Sequence, residues 1–291
     1  MESKKVAFIG LGVMGFSMAG HISKAGHKTK VFNRTASKAR EWEKSFYGES
    51  LPTPKLVVDN CDIVFMCVGN DADVRSVVYG EDGVLVGMKP GSILVDHTTT
   101  SAELAEELSN VCLEKKVSFI DAPVSGGQIG AENGTLTIMC GGEQAVFDQV
   151  VPVMNCYGKQ MALMGKNGQG QRSKMVNQIC IAGVLKGLSE GLFLAKKAEL
   201  NIDQLVDVLK YGAAGSWQME NRALSMSQDQ FDFGFAIDWM HKDLSICLNE
   251  AEKLGIGLPL TEKVDKEYQV LKEQGFGRMD TSVLFKIYEQ E

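Results

Sequence analysis

Short apolar runs at residues 6–9, 29–32, 63–68, 93–95, 119–120 and 136–139 alternate with stretches of helical periodicity through the first half of the chain. That rhythm predicts strands of a parallel sheet joined by crossover helices. Between two of the runs, Leu104, Ala105, Leu108, Val111 and Cys112 recur at i, i+1, i+4, i+7 and i+8, which places them on one face of a helix starting after Ser101. The texture changes at Asn167-Gly168-Gln169-Gly170. Residues 171–200 hold no proline and no strand alternation, so they predict one helix of about 30 residues, ~45 Å long. Helical patterns continue beyond it, broken at 211–216, 255–259 and 275–277. The expected architecture is a doubly wound, mostly parallel α/β domain over residues 1–167. An all-α domain over residues 168–291 follows, opening on the long interdomain helix.

The predicted long helix carries Gly183, Gly187 and Gly191, and Ala195 continues the four-residue step. A helical glycine costs about 1 kcal/mol relative to alanine, so three cost about 3 kcal/mol unless something offsets them. A ridge without side chains lets another helix approach closely, within the domain or across a subunit interface. The spacing leaves both open.

Composition narrows the function classes. The chain has 291 residues and a formal charge of −7, which argues against a general nucleic-acid binder. With 44% hydrophobic and 23% charged residues it has an ordinary globular composition, and its length suits two domains. No apolar run approaches the ~18 residues of a membrane span. Lys4 and Lys5 ahead of residues 6–14 imitate a signal peptide, but glycines interrupt the stretch and no small-residue cleavage site follows cleanly, so a cytoplasmic protein is expected. Seven cysteines without a C-x-x-C pair read as reduced thiols, and four histidines without a close ligand pair give no support for a metal.

Gly10-Leu11-Gly12-Val13-Met14-Gly15 follows the apolar run 6–9 and leads into a helical pattern, the context of a Rossmann dinucleotide fingerprint. Gly10 permits the tight turn, Gly12 lets backbone N–H groups approach a pyrophosphate, and Gly15 lets the helix sit against the sheet. A glycine-rich turn without ligand is the plain alternative. Val68, closing the run 63–68, is assigned to the same cofactor site. About twenty residues after the fingerprint, where an NAD enzyme places a carboxylate on the adenosine ribose, the chain reads Asn33-Arg34-Thr35. A guanidinium suits a 2′-phosphate and a carboxylate would repel it, so NADP is the expected cofactor, with NAD the alternative. Asp121-Ala122-Pro123-Val124-Ser125-Gly126-Gly127 forms a proline-led turn in which Ser125 and the N–H groups of Gly126 and Gly127 make a candidate cradle for a carboxylate, or simply a turn. Lys174, Asn177 and Gln178 share one face near the start of the long helix. There a lysine would serve as general acid and an amide would orient substrate, against the reading of a solvated helix lysine.

These three motifs, the last as Gly168-Gln169-Gly170-Gln171-Arg172-Ser173-Lys174-Met175-Val176-Asn177, occur in the order seen in the β-hydroxyacid dehydrogenases, which the chain resembles over its whole length. The resemblance implies a Rossmann domain, a long interdomain helix, an all-helical second domain, and homodimers or homotetramers. It makes Lys174 the catalytic lysine and Ser125, Gly126 and Gly127 the binders of the substrate carboxylate. Thr99 matches the threonine near nicotinamide and substrate, and Lys242 the second-domain lysine that closes over the cofactor. Many members carry asparagine four residues after the catalytic lysine. Here Asn177 stands at three and Gln178 at four, so both amides remain candidates for the substrate.

The implied reaction is reversible hydride transfer between NADP(H) and a short 3-hydroxy acid or its semialdehyde, with Lys174 moving the proton. A lysine near its usual pKa of about 10.4 is a poor base at pH 7, so oxidation is expected to run faster at alkaline pH. Of the competing readings, a short-chain dehydrogenase would use Tyr268 and Lys272, but that pair lies far outside the nucleotide-binding half. A 6-phosphogluconate dehydrogenase would be longer and would need phosphate-binding residues not found here, and imine reductases lack the lysine. A non-catalytic dinucleotide sensor is the reading from another class; the intact Lys174 and the absence of a basic extension count against it. Trp217, Phe231, Phe235 and Trp239 are either pocket wall or core, and the substrate stays open among 3-hydroxyisobutyrate, serine, glyoxylate and succinic semialdehyde.

Overall fold

The computed structural model describes residues 2–290. Among these residues nine strands form one sheet: β1 (Lys5–Ile9), β2 (Lys28–Phe32), β3 (Glu49–Ser50), β4 (Ile63–Met66), β5 (Ile93–Asp96), β6 (Ser118–Asp121), β7 (Val124–Ser125), β8 (Leu136–Gly141) and β9 (Gly158–Gly165). The order β3-β2-β1-β4-β5-β6 is parallel throughout and reverses direction at β1, as in a doubly wound dinucleotide-binding sheet. β8 then runs antiparallel to β6 and β7 and carries β9 parallel on its outer edge.

The central strands are buried on both faces, and their sequences show why. In β1, Val6 and Phe8 join the core beneath the helices Gly15–Lys24 and Ala36–Ser45, with Met18, Ile22 and Trp42. Ala7 and Ile9 join the opposite core, with Val74, Leu104, Leu108 and Cys112 from the helices Asp71–Val78 and Ala102–Glu114. A strand apolar on both sides gives a continuous run rather than an alternation, which is why these strands stand out in the sequence. All six predicted strands are present, with ends shifted by a residue or two. β3 and β7 were not foreseen because each has only two residues. β9 does not stand out in the sequence because Lys159 and Gln160, which follow the buried Gly158, are exposed, as residues of an outer strand can be. The helix expected after Ser101 spans Ala102–Glu114, and the Ser101 hydroxyl accepts the Leu104 N–H at 3.1 Å.

Contacts divide the chain into two compact units, Met1–Lys174 and Met175–Glu291. The long helix is Gln169–Lys197, beginning in the first unit and continuing into the second. It stops short of residue 200 because Glu199 takes a left-handed φ of 56° and the Leu200 N–H returns to the Ala195 carbonyl. The second unit adds the helices Ile202–Leu209, Trp217–Ser227, Ile237–Leu254 and Pro259–Leu271, and a helical close at Thr281–Gln290. They enclose a core that includes Leu185, Leu192, Met240, Val264, Tyr268 and Phe285. By length and composition the long helix could cross a membrane, yet Ala182, Leu185, Leu192 and Ala195 are buried within protein. Of Gly183, Gly187 and Gly191, Gly183 is held close, since a Cβ there would stand 3.1 Å from Leu260. Gly187 and Gly191 face open space.

The first unit buries two ionisable groups side by side at the end of β5. His97 Nδ1 lies 2.6 Å from the Ala122 carbonyl and Nε2 lies 2.8 Å from the Tyr157 hydroxyl. A carbonyl only accepts, so Nδ1 carries the proton and Nε2 accepts from the tyrosine. Burial lowers the His97 pKa to about 4, keeping the ring neutral. Asp96 accepts the Thr98 N–H at 2.9 Å, yet burial pushes it up to about 7. A carboxyl whose folded pKa is raised contributes stability fully present below its unfolded value of 3.8 and lost as pH rises through about 7. Asp96→Asn should therefore melt several degrees above wild type at pH 8, with the difference shrinking at pH 5. Calorimetry at the two pH values checks this, and an equal difference at both would contradict it.

Candidate active site

The site expected from the sequence gathers at the carboxyl edge of the parallel strands. The fingerprint loop follows β1, Asn33-Arg34-Thr35 follow β2, Val68 lies just past β4, Thr99 past β5, and the Ser125 turn past β6. In doubly wound sheets ligands bind at this edge, where the strand order reverses. A wide cleft rimmed by Lys5, Lys24, Lys28 and Lys30 lies instead at the amino ends of β1 and β2 and shares no residue with this set.

Within the fingerprint the three glycines answer to different constraints. Gly10 has φ 93°, and a Cβ there would meet the Cys67 carbonyl oxygen at 2.2 Å. At Gly15 a Cβ would sit 2.0 Å from the Gly10 carbonyl oxygen. Nothing in the chain lies within 4 Å of a Cβ at Gly12, so the chain itself does not demand glycine there. That open space leaves room for a ligand to approach the backbone, and the helix that begins at Gly15 presents its N-terminus beside it. Met14 at its N-cap provides no side-chain cap, and its first turn carries no acidic residue. Leu11 is buried, Val13 is exposed, and Met14 packs against the core.

Asn33 holds this loop in place: its Oδ1 accepts the Leu11 N–H at 2.9 Å while its Nδ2 donates to the Thr35 carbonyl at 3.0 Å. Arg34 is 86% exposed and pairs with Asp73 at 3.2 Å. Thr35 is the N-cap residue of the helix Ala36–Ser45. The Val68 N–H donates to Thr98 Oγ1 at 3.0 Å, joining the ends of β4 and β5, and Thr99 beyond it is half-buried. Gly126 and Gly127 have φ of 133° and 59°, so backbone conformation alone asks for glycine at both, and Ser125 is half-buried beside them.

Lys174 is 6% exposed, which is not the solvated lysine that its residue type would suggest. Its helix starts at the carboxyl edge and is tied there by residues the sequence reading passed over. Asp121 accepts the Gly168 N–H at 2.9 Å on Oδ1 and the Gln171 N–H at 3.0 Å on Oδ2. The Gln171 side chain donates to the Thr98 carbonyl at 2.7 Å and accepts the Thr100 N–H at 3.1 Å. Asn167 donates to the carbonyls of Phe119 and Gly141, both at 3.1 Å. At Gly170 a Cβ would stand 2.6 Å from the Met139 carbonyl oxygen, so this turn of helix lies directly on the sheet. Asp121 opens the Asp-Ala-Pro-Val-Ser-Gly-Gly motif and Gln171 lies in the segment that leads to Lys174; only burial of a polar side chain distinguishes either one, and burial is not visible in the sequence.

In the second unit three expected residues meet through a fourth. Asn177 Nδ2 donates to Gln178 Oε1 at 2.8 Å, and buried Gln178 donates to Asp243 Oδ2 at 2.6 Å. Lys242 stands 3.1 Å from Asp243 Oδ1, a charge contact outside good hydrogen-bond geometry. Phe231 and Phe235 belong to the core, whereas Trp217 and Trp239 are exposed. Tyr268 is buried with its hydroxyl on the Thr281 carbonyl, and Lys272 faces Asp238, so they form no catalytic pair.

Comparison with known proteins identifies the family. Residues 5–165 match the family model for the NAD-binding domain of 6-phosphogluconate dehydrogenase, and residues 168–288 match that for NAD-binding of NADP-dependent 3-hydroxyisobutyrate dehydrogenase. An uncharacterized oxidoreductase of Shewanella frigidimarina is 54% identical, with 98% of each chain covered. The 2-hydroxy-3-oxopropionate reductase of Escherichia coli is 34% identical over 98% of this chain and 97% of its own. Among solved structures, 3-hydroxyisobutyrate dehydrogenase of Mycobacterium tuberculosis with L-serine superposes with a TM-score of 0.89 at 25% identity, covering 98% and 99% of the two chains. A doubly wound sheet ending in a glycine cradle, a buried lysine on the helix that follows, and whole-length similarity to these enzymes make the chain a member of the β-hydroxyacid dehydrogenases, NAD(P)-dependent enzymes acting on a CH–OH group.

Proposed function

We propose that this enzyme transfers a hydride between NADP(H) and a short 3-hydroxy acid or the corresponding semialdehyde, with Lys174 as the general acid and base. The observation that carries the reading is the buried lysine, anchored three residues past the contact between Gln171 and the β5 loop. The cofactor, when bound, supplies or takes the hydride at nicotinamide C4. In reduction the Lys174 ammonium gives its proton to the carbonyl oxygen as that oxygen gains negative charge; in oxidation the neutral amine removes the hydroxyl proton. Ser125 and the N–H groups of Gly126 and Gly127 hold the substrate carboxylate, and Asn177 orients the reacting end. Gln178 is committed to Asp243, which favours Asn177 as the amide that meets substrate. The backbone from Gly10 to Gly15 receives the pyrophosphate, and Val68, Thr99 and Lys242 border the cofactor. Arg34 and Thr35 meet the 2′-phosphate, while Asn33 acts by setting the loop through Leu11. On this reading the cofactor domain ends at residue 167, and residues 168–291 serve substrate binding and assembly.

The reductase activity of the Escherichia coli relative, and L-serine in the Mycobacterium tuberculosis structure, support a small carboxylate with its hydroxyl one carbon removed. The open faces of Gly187 and Gly191, beside Leu194 at 70% exposure, support a homodimer or homotetramer closed by the long helix.

Lys174→Ala should lower kcat in both directions by about 100- to 10,000-fold while cofactor binding persists; near wild-type turnover would sink the assignment. Arg34→Ala should cut kcat/KM for NADPH by about 10- to 100-fold and leave NADH nearly unchanged, since a charge-assisted hydrogen bond contributes about 1.5–3 kcal/mol. Equal loss with both cofactors would move the 2′-phosphate elsewhere. Gly187→Glu should lower the mass measured by light scattering to that of a smaller assembly, and an unchanged mass would remove this face from the interface.

A further inference from the structure

The start of the lysine-bearing helix is held more tightly than folding of a helix requires. A helix N-terminus leaves four backbone N–H groups without intrahelical partners, and a single side-chain cap or water ordinarily meets one of them. Here the buried carboxylate of Asp121 takes two, from Gly168 and Gln171, one on each oxygen. Two bonds to one planar group fix both the height of the first turn and its rotation about the helix axis. The glycine between them removes the remaining slack, because a Cβ at Gly170 would stand 2.7 Å from Asp121 Oδ2.

Gln171 then extends the hold to a second element. Its backbone is bound by Asp121, and its side-chain amide reaches the carbonyl of Thr98 and the N–H of Thr100. It thereby stands in for the missing peptide partner on both sides of Thr99. Residues three apart on a helix lie on one face, so the same residue that grips the Thr99 loop lies one turn before Lys174. A displacement of the loop is transmitted to the lysine through one side chain, and the reverse holds as well.

We propose that Asp121 and Gln171 are positioning residues that hold Lys174 and the Thr99 loop in register, so that proton transfer and hydride transfer occur from one geometry. This rests on the assignment of Lys174 as the proton donor. General acid catalysis depends on reach, and a misplacement of about 1 Å can cost about 100-fold. Burial raises the Asp121 carboxyl to about 6, against the two N–H groups that favour its anion, so the carboxylate is kept in an environment that disfavours it.

The test compares Gln171→Met, which retains size and loses both side-chain bonds, with Asp121→Asn and Lys174→Ala. Melting temperature and the fraction of protein that binds NADPH serve as controls. For Gln171→Met we expect kcat to fall about 10- to 100-fold while KM for NADPH stays within about twofold. The isotope effect on kcat with 4-deuterated NADPH should rise, because the hydride step becomes limiting, and the pH limb of kcat governed by Lys174 should shift. Asp121→Asn should follow the same pattern wherever it folds. Loss of kcat in proportion to the loss of cofactor-binding protein, with isotope effect and pH limb unchanged, would reduce the contacts to a structural role and overturn the inference. Wild-type values throughout for Gln171→Met, beside an inactive Lys174→Ala, would overturn the positioning inference alone. An active Lys174→Ala would overturn the lysine assignment, whatever Gln171→Met does.

Discussion

Burial of the parallel strands on both faces is the constraint on which the rest of the first unit depends. With Val6 and Phe8 in one core and Ala7 and Ile9 in the other, neither face of β1 is left for chemistry. Loops at the sheet edge are what remains, and the parallel direction delivers the fingerprint, Asn33, Val68, Thr99 and the Ser125 turn, all candidates for binding, to the same edge. The crossover helices that cover the faces also bring an uncapped helix N-terminus to that edge, where it favours an anion.

At that edge the chain spends polar groups on one another. Asn33 fastens the fingerprint loop, Thr98 joins the ends of β4 and β5, and Asp121, Gln171 and Asn167 bind the beginning of the long helix. Each of these side chains satisfies backbone groups that strand ends and helix starts leave without partners. The result is a set of loops held by side-chain bonds, a suitable base for geometry that must be kept within fractions of an ångström.

The second unit follows a different logic. Its helices bury one stripe each, so polar residues reach the surface on every helix. Some polar groups are buried nonetheless: Arg222 pairs with Asp280, Lys186 with Glu267, and Gln178 with Asp243, the last pair continuous with Asn177 and Lys242. A Cβ at Gly187 or Gly191 would meet nothing within 4 Å, so glycine there is not explained by packing inside this unit.

The sequence by itself determined the elements whose physics is local. Doubly buried strands announce themselves as apolar runs, the fingerprint glycines by their spacing, and the long helix by the absence of proline and alternation. Residue type also marked Lys174 and Arg34 as candidates. The tertiary structure alone decided what depends on neighbours distant in the chain. The two-residue strands β3 and β7 exist only through partners, and β9 lies at an outer edge where alternation is weak. That Asn33 serves the loop, that Gln178 rather than Asn177 is committed to Asp243, and that Asp121 and Gln171 anchor the lysine's helix are hydrogen bonds across 22 to 73 positions. Periodicity reports which face a residue occupies; the partner waiting on that face is set by how the strands and helices pack.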